Sequence, residues 1–277
     1  MLEIARIAIL LTFTALYAYF DVFNRRSIPD KIVYISLAIG IASTLLYPLH
    51  IMELSFLIAA FVGAAGYLLY KIGLLGLGDG LELTFISLVL PIQPTPLIGV
   101  QQFGLPFVLS VFVSSGIVTI ILVPIYYLKG KPLKIDKNSL LKALLVLSSY
   151  LILLLLICSM FEVRLVPTLL IILIAIFSSL LFLFEKSINE SMIEWVYPSK
   201  LDEDDIIATN LMSRKELQVF RSSFKDFGRL ASSEEIKAIK HIKKKIPVYK
   251  KAIPFSLFIF FGTILSLAIG NPVLLIF

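Results

Sequence analysis

Carboxylates are scarce in this chain, and three of them hold positions that suit chemistry. Asp21 closes an apolar run at Tyr19-Phe20-Asp21. Asp79 lies in Gly76-Leu77-Gly78-Asp79-Gly80, directly after another apolar run, and Glu82 follows three residues later. A carboxylate in or beside hydrocarbon is costly to keep, so it points to function by default. Two carboxylates held a few ångströms apart cannot both ionise, and they share one proton. One then acts as the base that activates water, and the other as the acid that polarises a carbonyl. This is aspartic-protease chemistry. Gly76, Gly78 and Gly80 remove side-chain bulk around Asp79 and permit positive φ, so they read as the backbone of a catalytic loop with room for an extended peptide.

The elements that must position these acids are membrane helices. Of the 277 residues, 58% are hydrophobic and 16% charged, against about 45–50% and 25% in soluble domains. Such a composition excludes a water-soluble globule, a disordered chain and a collagen-like repeat. The single cysteine, Cys158, permits no internal disulfide and no cysteine-based zinc site. A membrane-crossing helix takes about 20 mostly apolar residues. Candidate spans run over 4–20, 32–49, 54–75, 105–128, 140–161, 165–184 and 252–277. A further, short or broken span starts at Leu81 and meets Pro91, Pro94 and Pro96. The expected fold is an all-α polytopic bundle of about eight spans around a six-span core. Its parts are a catalytic core over 1–130, a basic loop with two added spans over 131–184, a cytoplasmic helical segment over 185–251, and a final span over 252–277.

Charge orients these spans. Apart from Arg6, Lys71 and Arg164, every Lys and Arg falls in the segments 21–31, 129–142 and 185–251. Eight crossings put those three segments on one side, and the positive-inside rule makes that side cytoplasmic, with both termini outside. Two crossings separate Asp21 from Asp79, so they return to the same face in either orientation. Within 185–251, Ser213 with Glu216 and Ser232 with Glu235 form capping boxes, which predict two short helices.

The residues now resemble a known family. Gly76-Leu77-Gly78-Asp79 is similar to the GxGD motif of membrane-embedded aspartic peptidases. The run from Asp21 to Asp30 resembles the other half of the type IV prepilin peptidase signature: an aspartate, four residues, an arginine (Arg26), one residue, then Ile28-Pro29-Asp30. The resemblance covers about residues 1–130. It implies a catalytic pair, Asp21 and Asp79, that removes the short basic leader of class III signal peptides on the cytoplasmic side. The substrates it implies are precursors of filament subunits, archaeal preflagellins or prepilins. Bacterial members carry cytoplasmic cysteine pairs and a methyltransferase activity. Their absence here makes the chain resemble the archaeal branch, with no cofactor and no metal. Those members have about six spans, so the pair at 140–184 is a departure, and the Pro-Ala-Leu motif of presenilin-like relatives is missing.

Each of these residues also has a plain structural explanation. Asp21 can be a helix-end carboxylate paired with Arg25 or Arg26, and Asp79 the N-cap of the fourth span. Glu82 reads as an interfacial first-turn residue favoured by the helix dipole, with a supporting role as the sharper option. Arg26 reads as a topology determinant that could also hold the first loop, and Lys71 as snorkelling to the headgroups. The acidic run 202–205 reads as a solvated loop, or as an attractor for a basic leader. Lys243, Lys244 and Lys245 suit anionic lipid rather than nucleic acid. Ser110, Ser114 and Ser115 suit helix packing. Expected partners are therefore the precursor and the bilayer. Two other classes remain open: a proton- or cation-coupled transporter using Asp21 and Asp79, and a non-catalytic scaffold acting through 185–251.

Overall fold

A computed structural model describes residues 2–24, 28–98, 104–129, 134–160, 165–201, 207–208, 212, 245–249, 253–272 and 274. The chain forms an all-α membrane bundle. In chain order its helices are α1 (Leu2–Phe23), α2 (Asp30–Thr44), α3 (Leu49–Lys71), α4 (Leu77–Val89), α5 (Phe107–Leu128), α6 (Lys137–Met160), α7 (Leu165–Leu183), α8 (Glu185–Met192) and α9 (Phe255–Ile269). Prolines set several of the starts. Pro29, Pro48, Pro106 and Pro254 stand immediately before α2, α3, α5 and α9, where a fixed φ is compatible with starting a helix and a missing N–H goes unnoticed. α9 ends at Gly270, whose φ of 79° suits glycine.

An apolar helix forms at each of the eight predicted places, but their lengths differ from the expectation. Among the described residues, four helices are long and apolar enough to cross a membrane: α1, α3, α5 and α6. α7 and α8 add a fifth if they are taken as one span, bent by 70°. α2, α4 and α9 have 15, 13 and 15 residues. Thirteen residues reach only roughly 20 Å, well short of the hydrocarbon thickness of about 30 Å.

α4 ends inside the bundle, and its last carbonyls meet hydroxyls instead of water. Thr44 Oγ1 donates to Leu88 O at 2.8 Å, and Tyr47 Oη donates to Val89 O at 3.0 Å. Ser55 Oγ reaches Ser87 O at 3.2 Å. Backbone left unpaired in hydrocarbon would cost several kcal/mol per group, so these three hydroxyls make the short helix possible. The connection after α4 serves α9 in the same way. Leu97 N donates to Leu267 O, Ile98 N to Ala268 O, and the Gln93 amide to Ser266 O.

The core lies between α1, α4, α5 and α9. Leu10, Phe85, Ile86, Val89, Phe107, Val111 and Ile259 are buried against one another there. Small residues allow close approach. A Cβ on Gly66 of α3 would come within 2.9 Å of Gly80 Cα on α4, and one on Gly262 of α9 within 2.6 Å of Ser115 N on α5. Ser266 Oγ bonds Ser114 Oγ across the same α5–α9 contact, in keeping with packing roles for these serines. α6 packs on α7 and presents most of its surface outward.

Contacts at one end of the bundle join the 129–142 segment to the start of the 185–251 segment. Lys134 pairs with Glu190 and Lys142 with Glu185, both at 2.6 Å, joining the start of α6 to α8. Val123 and Tyr127 of α5 pack with Phe184, Ile188 of α8 and Phe258 in the first turn of α9. At the opposite end, Arg6 lies 3.4 Å from the Tyr47 ring centroid and donates to Ser43 O, so a cation meets the C-terminus of α2.

The segment after α7 contains strand structure that its sequence did not suggest. β1 (Glu194–Val196) pairs antiparallel with β2 (Ile246–Val248), with Trp195 opposite Pro247. Pro247 sits in this two-stranded ladder, where its missing N–H can face away from the partner. The two helices expected after Ser213 and Ser232, the acidic run 202–205, and Lys243 and Lys244 lie outside the described residues. Lys245 lies over the Tyr197 ring, 5.5 Å from its centroid.

The Gly66–Gly80 contact should be sensitive to a single methyl. Gly66→Ala is expected to destabilise the bundle by about 1–3 kcal/mol through overpacking against backbone. Gly116→Ala, where a Cβ meets nothing within 4 Å, should be neutral or slightly stabilising. Thermal unfolding of the two variants in detergent checks the contrast.

Candidate active site

Asp21 and Asp79 reach the site from different helices. The buried residues of α1 are Arg6, Leu10, Thr14, Tyr17, Ala18 and Asp21. They recur at helical spacing, so Asp21 continues the face that α1 turns to the core and lies one turn beyond Tyr17. Asp21 is 7% exposed and Asp79 8%.

Asp79 occupies a different helix position from the one expected. α4 starts at Leu77, with Gly76 as N-cap, so Asp79 is the third residue of the first turn and not the cap. The backbone N–H of Gly76 donates to Asp79 Oδ2 at 3.1 Å. This is the reciprocal half of a capping box. Glycine explains the fit, since a Cβ at Gly76 would lie 2.8 Å from that oxygen. The Gly76–Gly80 stretch is therefore a helix start, not a loop. Gly76 has φ −69°, and among the described glycines only Gly73 and Gly270 have positive φ. Gly78 and Gly80 instead admit neighbours: a Cβ on Gly78 would strike Ile28 Cδ1 at 2.8 Å, and Gly80 meets Gly66.

A second helix start converges on the same carboxyl. Ser256, in the first turn of α9, donates its hydroxyl to Asp79 Oδ1 at 2.8 Å and is fully buried. The Ser256 backbone N–H faces the carboxyl as well. Asp79 thus sits where two helix N-termini meet, each bringing unpaired N–H groups and the positive end of a dipole. Reading the sequence did not single out Ser256. The available signal was a hydroxyl two residues after a helix-starting proline, in Pro254-Phe255-Ser256.

Glu82 is the largest departure from expectation. It is not interfacial: its exposure is 0%. Neither of its carboxyl oxygens has a hydrogen-bond partner among the described residues. Ser256 also neighbours Glu82, but its single hydroxyl proton is committed to Asp79. Tyr17, also fully buried, hydrogen-bonds Ser36 Oγ at 2.8 Å, and Ser36 donates onward to Val33 O at 2.8 Å. Asp21, Asp79 and Glu82 act on one another electrostatically, and Glu82 acts on Tyr17. The arrangement has two layers: the aspartates near the helix ends, and Glu82 with Tyr17 one turn deeper.

Arg26 lies outside the described residues. Lys71 is exposed and rests over Tyr67, 5.5 Å from the ring centroid. Among the described residues, no group of three or more His, Cys, Asp or Glu could hold a metal ion.

An orphaned buried carboxyl weakens a fold by about 1–3 kcal/mol. Glu82→Met, which keeps the side-chain volume, is therefore expected to raise the melting temperature in detergent. An unchanged or lower value would mean that Glu82 is satisfied in the folded protein.

No curated protein and no solved structure matches the chain. Residues 8–130, from α1 to the end of α5, match the Type IV leader peptidase family. The match spans Asp21, Asp79 and Glu82 but stops well short of Ser256. Over that stretch this membrane protein is similar to the Type IV leader peptidase family, a family of aspartic-type proteases.

Proposed function

We propose that the protein is a membrane aspartic endopeptidase that removes the short basic leader of archaeal preflagellin or prepilin-like precursors at the cytoplasmic membrane face. Asp21 and Asp79 are the catalytic pair. One observation carries the reading: two aspartates from separate helices, both buried and electrostatically coupled, lie within the stretch that matches a leader-peptidase family. The lack of a second cysteine favours the archaeal branch.

In this mechanism the substrate's apolar helix lies against the bundle, and its leader stays in the cytoplasm. The scissile bond extends beside the first turn of α4. Water is held between the two carboxyls. One accepts its proton while the other, protonated, donates to the carbonyl oxygen, and the proton passes to the amine as the intermediate collapses. Asp79, fixed through both oxygens, keeps its direction during this exchange.

Either Asp21→Ala or Asp79→Ala should reduce cleavage of a precursor in membranes by about 10²–10⁴-fold. Wild-type-like processing by either variant would end the assignment. The pair shares one proton, so the cleavage rate should be bell-shaped in pH.

The fully buried Glu82 on a short helix is the one observation that suits a proton-coupled carrier instead. Proton-dependent uptake without peptide cleavage would favour that reading. Orientation is tested separately, on a Cys158→Ser background. Lys200→Cys should react with an impermeant thiol reagent only from the cytoplasmic side, and Leu97→Cys only from outside. Reversed labelling would overturn the orientation.

A further inference from the structure

We propose that Ser256 is a positioning residue for Asp79, so that the active site is completed by the terminal helix α9. The inference rests on the peptidase reading above and extends it beyond residues 8–130. Three observations carry it. First, the Gly76 N–H bonds one carboxyl oxygen, and a single bond leaves the other oxygen without a fixed direction. Ser256 Oγ supplies the second bond at 2.8 Å, from 177 residues away in sequence. Second, the hydroxyl is fully buried and lies beside two acids, Asp79 and Glu82, and its one proton is donated to Asp79. The contact therefore selects which acid is oriented. Third, α1 lies mainly along α9 and touches α4 at few points. The helix that carries Asp21 and the residue that holds Asp79 thus share one support, and α9 fixes the position of one aspartate relative to the other.

A residue that only filled space could be replaced by any side chain of its shape. A positioning hydroxyl could not. Ser256→Thr and Ser256→Val differ by little more than hydroxyl against methyl, so both disturb packing alike. The full-length protein in membranes is given a prepilin-like precursor, and kcat and KM are read separately. Ser256→Val is expected to lower kcat by about 10–100-fold with KM within about twofold, because an orienting contact acts on the chemical step. Ser256→Thr is expected to keep kcat within about threefold of wild type. Equal activity of Thr and Val, whether both high or both low, would overturn the inference. So would a loss carried by KM alone. Asp79→Asn run in parallel separates the two levels of the argument. If it cleaves, the peptidase assignment of Asp79 fails. If it is inactive while Ser256→Val matches wild type, only the role of Ser256 fails.

Discussion

A carboxyl held at the meeting point of two helix starts is the interaction around which this bundle is arranged. Helix N-termini expose N–H groups with no partner in their own helix, and carboxylates are the groups they favour. Asp79 meets this need for α4 through Gly76 N–H, and the first turn of α9 holds the same carboxyl through the Ser256 hydroxyl. Neither helix is long enough to carry both ends into water. The start of each therefore has to be satisfied near the site, and the end of each inside the protein. The ends are met by Thr44, Tyr47 and Ser55 for α4, and by the 93–98 stretch for α9. In hydrocarbon such backbone pairing is close to obligatory, so these hydroxyls and amides belong to the same design as the aspartate.

Close packing follows from that design. Short buried helices have little surface, and their neighbours must approach closely to exclude lipid. Gly66 against Gly80 brings α3 onto α4, and Gly262 against Ser115 brings α9 onto α5. Without a hydrophobic driving force between helices in lipid, such small-residue contacts supply much of the association. They also hold α4 and α9 closely against their neighbours, and the proposed pairing of Asp21 with Asp79 needs that precision of position.

The sequence revealed some of this and concealed the rest for physical reasons. Asp21 and Asp79 stood out as candidates because an acid beside an apolar run is unusual, and both prove to be buried. The start of α4 was not legible. Gly76, Gly78 and Gly80 carry the composition of a turn, and only the backbone geometry makes them a cap and two contact points inside a helix. That shift of four residues, from Leu81 to Leu77, also moved Glu82 from a presumed interface into the core. Ser256 was hidden for another reason. Its partner lies 177 residues away, and one serine near a helix start does not differ from the many serines that merely pack. The ladder between β1 and β2 involves only three residues on each side, too few for an alternating pattern to register.

Glu82 occupies a position that packing alone would give to an apolar residue. A bundle selected only for packing would carry Leu or Met at a position with 0% exposure, since apolar side chains of that volume satisfy the site without leaving polar atoms unpaired. The residue present instead leaves both carboxyl oxygens without a described partner, one helical turn from Asp79 and within the field of Asp21. Proteins break the rule against unpaired buried groups at functional sites and offset the cost elsewhere. Here the offset lies close by, in the bonded ends of α4 and the glycine contacts along it. The helix that bears Asp79 and Glu82 thus has its last carbonyls bonded and its glycines in close contact with neighbouring helices. This is what allows it to carry charge-bearing groups into an apolar bundle.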